Sequence, residues 1–133
     1  MKSNLNLGLL VLRLSLGVLL LLHGVSKLQF GIDWMVKMLE AKGIPGFVAY
    51  GSILGEVLAP LMIIIGFRTK LGALIIAFNM AVAILLVHPN NILSLSETGG
   101  WAVELPAIYL LGALALVFSG AGKFAASTSN KFD

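Results

Sequence analysis

Seven residues in this 133-residue chain have the types and placement to do chemistry: Arg13, His23, Lys27, Glu56, His88, Glu104 and Tyr109. Each lies within or at the end of an apolar run, where an ionisable side chain is costly and marks a ligand contact or a buried partner. Arg13 is the most demanding, because a guanidinium near the centre of a membrane helix costs roughly 2.5 to 3.5 kcal/mol on insertion scales. It must face a counter-charge or a polar cavity. Glu56 and Glu104 are candidate proton carriers, the catalytic positions if the chain supports a reaction. Arg13, His23, Lys27, His88 and Tyr109 are candidate ligand-binding groups, able to hydrogen-bond an oxygen of a bound molecule. The competing reading is an ion pair of Arg13 with Glu56 or Glu104 that only fixes helix register.

Two histidines and a glutamate suit a metal by donor type, but their spacing matches no diagnostic ligand pattern, and no metal is expected. The histidines sit at the rim of the apolar runs without further haem signatures. The chain has no cysteine, which excludes dithiol chemistry, disulfides and thiolate-held clusters.

The elements that must position these groups follow from hydropathy. The chain is 59% hydrophobic and 11% charged, with mean hydropathy +1.01, far above an ordinary soluble domain. Apolar runs over residues 5–23, 47–66, 71–88 and 101–119 are each long enough, as helices, to cross most or all of a hydrocarbon layer about 30 Å thick. The expected fold is an all-α, integral membrane, antiparallel four-helix bundle forming a single domain over residues 1–133. Arg13 interrupts the first run and no small-residue cleavage pattern follows Leu22, which argues against a cleaved signal peptide. Between the first and second spans, Asp33, Lys37 and Glu40 recur at helical spacing beside Trp34, Met35, Met38 and Leu39, predicting a short interfacial amphipathic helix. Residues 89–100 read as a turn-rich loop, and the polar tail, residues 125–133, reads as short and mobile. Gly51 with Gly55, and Ala73, Ala77 and Ala81, form small-residue faces for close helix packing.

Antiparallel topology then sets depth. Glu56 falls about 9 Å inward of Tyr50, Glu104 about 5 Å inward of Trp101, and Arg13 about 15 Å below His23. The expectation is a polar pocket in the external half of the bundle, with Arg13 at its floor facing Glu56 and Glu104, the histidines at its rim and Tyr109 alongside. Lys2, Arg68, Lys70, Lys123 and Lys131 fall on one side and Lys27, Lys37 and Lys42 on the other, which favours both termini in the cytoplasm of a bacterial inner (plasma) membrane. The formal charge of +3 is spread singly between apolar runs, so nucleic acid is not an expected partner.

Several short motifs carry a resemblance. They are Leu12-Arg13-Leu14 through Gly17 to His23-Gly24 and Lys27-Leu28, then Gly43-Ile44-Pro45, Gly55-Glu56 and Gly66-Phe67-Arg68-Thr69. Val87-His88, Gly99-Gly100 before Glu104, and Gly120-Ala121-Gly122-Lys123 complete the series. In this order and spacing the chain resembles the DoxX family of small four-helix membrane proteins over nearly its full length. Arg13, Glu56, His88 and Glu104 occupy the family's polar positions, with His23 and Lys27 alongside. The resemblance implies a redox-linked membrane subunit, since some archaeal relatives look like the membrane subunit of a thiosulfate:quinone oxidoreductase. A quinone is then the expected ligand, and a partner redox protein the expected electron donor. Other relatives are linked to redox stress or to assembly of membrane proteins. The alternative is therefore a non-enzymatic protein that binds a lipid or assists a partner membrane protein. The small-residue faces also permit a homo-oligomer.

Overall fold

The computed structural model describes residues 4–133; Lys2, one of the expected cytoplasmic cations, lies outside the described residues. The fold is all-α. Among the described residues there are five helices, α1 (Leu5–Phe30), α2 (Asp33–Ala41), α3 (Gly46–Ile65), α4 (Thr69–Val87) and α5 (Glu104–Ser119). Three of them, α1, α3 and α4, are long and apolar enough to cross a membrane. Only 28%, 33% and 28% of their most apolar windows is buried within the protein, so most of their apolar surface points outward. That is the pattern of helices solvated by hydrocarbon rather than water. At 16 residues α5 is shorter than the expected span over residues 101–119, because residues 101–103 stay in the preceding loop.

The helix ends follow local chemistry. Asn4 caps α1, its side chain accepting from the Leu7 amide at 3.1 Å. Gly66 adopts the left-handed conformation (φ 79°) that ends α3. Arg68 (φ 50°) completes the tight turn into α4, making α3 and α4 antiparallel neighbours.

α3 is irregular where it matters. It opens as a 3₁₀ turn over Gly46–Tyr50 and widens to a π-helical turn over Leu54–Leu58. Pro60 has no N–H for the Glu56 carbonyl, and its ring would crowd that oxygen in a regular helix. The wider turn around Glu56 accommodates both facts, and such bulges recur at functional sites.

The main core joins α1, α3, α4 and α5 through residues such as Leu16, Leu20, Ile63, Ile76, Met80 and Leu116. The predicted amphipathic helix forms as α2, with Asp33, Lys37 and Glu40 exposed. Met35 and Leu39 join Ile32 and Ala49 in a second, smaller core against the start of α3. In the 89–100 loop, Leu95 and Trp101 form an isolated antiparallel bridge, and the Trp101 indole donates to the Ile92 carbonyl at 2.6 Å.

The tail departs from expectation, because it is docked. Its Ala126 and Ser127 amides donate to the Ile65 and Gly66 carbonyls at 3.2 and 3.1 Å, and the Lys70 amide donates to the Phe132 carbonyl at 2.9 Å. The Asp133 carboxylate accepts from the Ser127 hydroxyl at 2.6 Å and from the Asn130 amide at 2.7 Å. It also faces Arg68, accepting from its amide at 3.2 Å. The Ser127 hydroxyl, then the Asn130 and Arg68 amides, hold the Asp133 carboxyl below its ordinary range against an opposing effect of burial.

Candidate functional site

Arg13 is 1% exposed and sits elsewhere than the expected pocket floor. Its Nε donates to the Ile63 carbonyl at 2.8 Å. One terminal nitrogen donates to the Ala121 and Phe124 carbonyls at 3.0 and 2.6 Å, and the other to the Ile64 carbonyl at 3.0 Å. Among the described residues it forms no ion pair, so the expected pairing with Glu56 or Glu104 is corrected. The physical reason is the end of α3. The last carbonyls of a helix lack intrahelical partners and carry the negative end of its dipole. Here every one of them is satisfied: Met62 by the Gly66 and Phe67 amides, Ile63 and Ile64 by Arg13, and Ile65 by Ala126. The rigid, multi-donor guanidinium suits this task better than a point charge.

The counter-charge of Glu56 is Lys27. Its Nζ lies 2.8 Å from Glu56 Oε1, with side-chain exposures of 18% and 9%. Asn79, halfway along α4, donates to the same oxygen at 3.4 Å. Glu56 Oε2 is buried and has no partner. An orphaned carboxylate oxygen in an apolar setting is expensive, and marks a group positioned to gain a proton or a ligand hydrogen bond.

Two glycines permit this arrangement. A Cβ on Gly24 would overlap the Glu56 carbonyl, so only glycine lets α1 touch the widened turn of α3. A Cβ on Gly55 would stand 2.5 Å from Asn79 Cγ, so the same logic brings Asn79 beside Glu56. Gly55 was legible as a packing residue. Asn79 carries no charge to mark it, and its one signal in the sequence is a carboxamide in the middle of an apolar helix.

Five of the seven predicted residues meet. His23, Lys27, Glu56, His88 and Tyr109 all line one cavity of about 200 Å³, with Trp34, Met80 and Pro106 in its wall. His23 and Tyr109 stack edge to face, their centroids 6.2 Å apart at 83°. His88 reaches the cavity from the C-terminal end of α4.

Arg13 and Glu104 lie outside it. Glu104 is exposed in the first turn of α5, where a carboxylate complements the helix dipole. The shorter α5 explains the difference: Glu104 begins the helix instead of standing one turn inside it. A second cavity, about 520 Å³ and largely apolar, shares Lys27 and Glu56 with the first and lies between α2, the start of α3 and α4.

Comparison with known proteins adds a family. The model of the DoxX family matches residues 8–89. An uncharacterized protein of Haemophilus influenzae is 34% identical over 125 residues, covering 91% of this chain and 87% of that protein. A Bacillus subtilis protein named putative oxidoreductase CatD is 28% identical over 87 residues, which cover 65% of this chain. The chain spans 64% of the length of that Bacillus protein. No solved structure matches the chain.

Proposed function

The chain belongs to the DoxX family and has three helices able to cross a membrane, and from that premise we propose that it is a redox-linked, quinone-associated membrane subunit. One observation carries the reading: five polar side chains from four different helices converge on one cavity, beside a carboxylate with an unpaired buried oxygen. The similarity to a protein named putative oxidoreductase supports it.

The cavity fits a quinone headgroup by donor chemistry. Lys27 uses one of its N–H donors on Glu56, and His23, His88 and Tyr109 supply further hydrogen-bonding atoms towards ring oxygens. A bound quinone would accept two electrons and two protons, the electrons coming from a partner redox protein, since the chain has no cysteine for a thiol relay. Glu56 is the proton carrier in this account, held by Lys27 and Asn79 with Oε2 free to take a proton. His23 and His88 line the same cavity and complete the relay, since an imidazole has one ring nitrogen to donate and one to accept.

The finer topology belongs to the same proposal. α5, about 24 Å long, is the fourth crossing, and both termini lie on the cytoplasmic side of a bacterial inner membrane. The experiment is purification in mild detergent with lipid extraction and mass spectrometry. Quinone should co-purify with the wild type and be lost from folded Glu56→Gln and Tyr109→Phe. Its absence from the wild type, with no stabilisation by added quinone analogues, contradicts the reading. The second reading, a lipid-binding or assembly protein without catalysis, draws on the larger apolar cavity.

A further inference from the structure

We propose that the larger cavity, which shares Lys27 and Glu56 with the smaller one, is a binding site for a neutral amphiphile with a hydroxyl head and a single apolar tail. Its volume, about 520 Å³, lies within the range of small-molecule sites. Its walls are apolar, including Met35 and Met38 of α2 and Phe78 and Val82 of α4. The unbranched methionines adapt to flexible chains. Such walls hold a tail but select nothing.

Selection comes from Lys27, Glu56 and Asn79, which line the same space, while a fourth polar residue there, Ser52, donates its hydroxyl to the Ala49 carbonyl at 2.8 Å. Glu56 Oε2 has no donor, Lys27 gives one N–H to Glu56 Oε1, and Asn79 donates its amide towards that oxygen. The remaining capacity is therefore mixed: donors on Lys27, acceptors on Glu56 Oε2 and the Asn79 carbonyl. A hydroxyl matches that inventory, accepting from Lys27 while donating to an unpaired oxygen. The charge of the cluster argues the same way. Lys27 and Glu56 neutralise each other at 2.8 Å, so a carboxylate head meets repulsion from Glu56 and an ammonium head meets repulsion from Lys27, each without a surplus opposite charge. An ether or ester head accepts from Lys27 but leaves the orphaned oxygen unsatisfied.

The test uses the full chain in lipid nanodiscs, labelled with a long-chain alcohol bearing a photoreactive diazirine in its tail and mapped by mass spectrometry. Labels should fall on the segments containing Met35, Met38, Phe78 and Val82. Unlabelled dodecanol should compete about tenfold better than its methyl ether or dodecanoate, the factor expected for one hydrogen bond to a charged group. Val82→Trp, which places a bulky ring in the cavity wall, should block the tail and abolish the labelling while thermal stability is retained. Labels scattered over the outward faces of α1 and α5 overturn the proposal. So does a competition ratio below fivefold, or labelling that survives Val82→Trp. The comparison of ligands on the wild-type protein needs no variant to fold.

Discussion

At the scale of single residues, Arg13 holds structure where sequence reasoning placed it in a ligand site. Its five N–H donors meet four backbone carbonyls from the end of α3 and the segment after α5. Removing it leaves those acceptors buried without partners, at a cost of about 1–3 kcal/mol for an orphaned group. Arg13→Leu should lower stability by that order in detergent unfolding, and should expose Lys123 and Lys131 to trypsin as the tail detaches. Arg13→Lys should fall between, since an ammonium cannot span all four carbonyls. A folded Arg13→Leu protein with wild-type protease resistance would contradict the assignment. That Arg13 was buried and partnered was legible from its apolar surroundings. Its partners were not, because backbone carbonyls carry no residue identity in a sequence. Glu56 was legible as a carboxylate in an apolar run, but its partner was not, because Lys27 takes the place expected for Arg13.

At the scale of elements, the site depends on where helices touch and where one of them widens. The Gly24 contact with the Glu56 carbonyl predicts that Gly24→Ala forces α1 from α3, costing about 1–3 kcal/mol. Gly8→Ala, on the same helix with nothing near a new Cβ, should be neutral or slightly stabilising. Thermal unfolding of the two variants side by side checks the contrast. The tail makes a pH prediction. The Asp133 carboxyl is held below its ordinary range, by Ser127 foremost, so its contribution to docking is complete above the unfolded value near 3.9. It is lost as pH falls through the depressed folded value. Amide exchange at Ser127 and Lys70 should therefore speed up, relative to the chain average, only below about pH 4, and Asp133→Ala should remove the dependence. Hydropathy and polar spacing were enough to place α2 and the apolar helices. The docked tail was hidden because its contacts are amide-to-carbonyl bonds with residues far along the chain, which a polar sequence does not display.

At the scale of the molecule, charge is divided between its ends. Arg68, Lys70, Lys123 and Lys131 stand with Asp133 at one end, while Lys27, Lys37 and Lys42 share the other with Asp33, Glu40, Glu56, Glu97 and Glu104. By the positive-inside rule the first end is the one proposed to face the cytoplasm. Because the chain has no cysteine, single cysteines report directly. An impermeant maleimide should label Ser96→Cys on intact cells and Ser129→Cys only after permeabilisation; the reverse pattern overturns the orientation, and labelling of both from outside overturns a fourth crossing by α5. The central claim is that the cavity shared by His23, Lys27, Glu56, His88 and Tyr109 receives a quinone headgroup. Trp34 lines it, and Trp101→Phe leaves Trp34 as the sole indole. A titration of this protein with a short-chain quinone should give saturable quenching of Trp34, weakened about tenfold by Glu56→Gln; linear, unsaturable quenching, or a curve identical in the Glu56→Gln protein, would contradict the account.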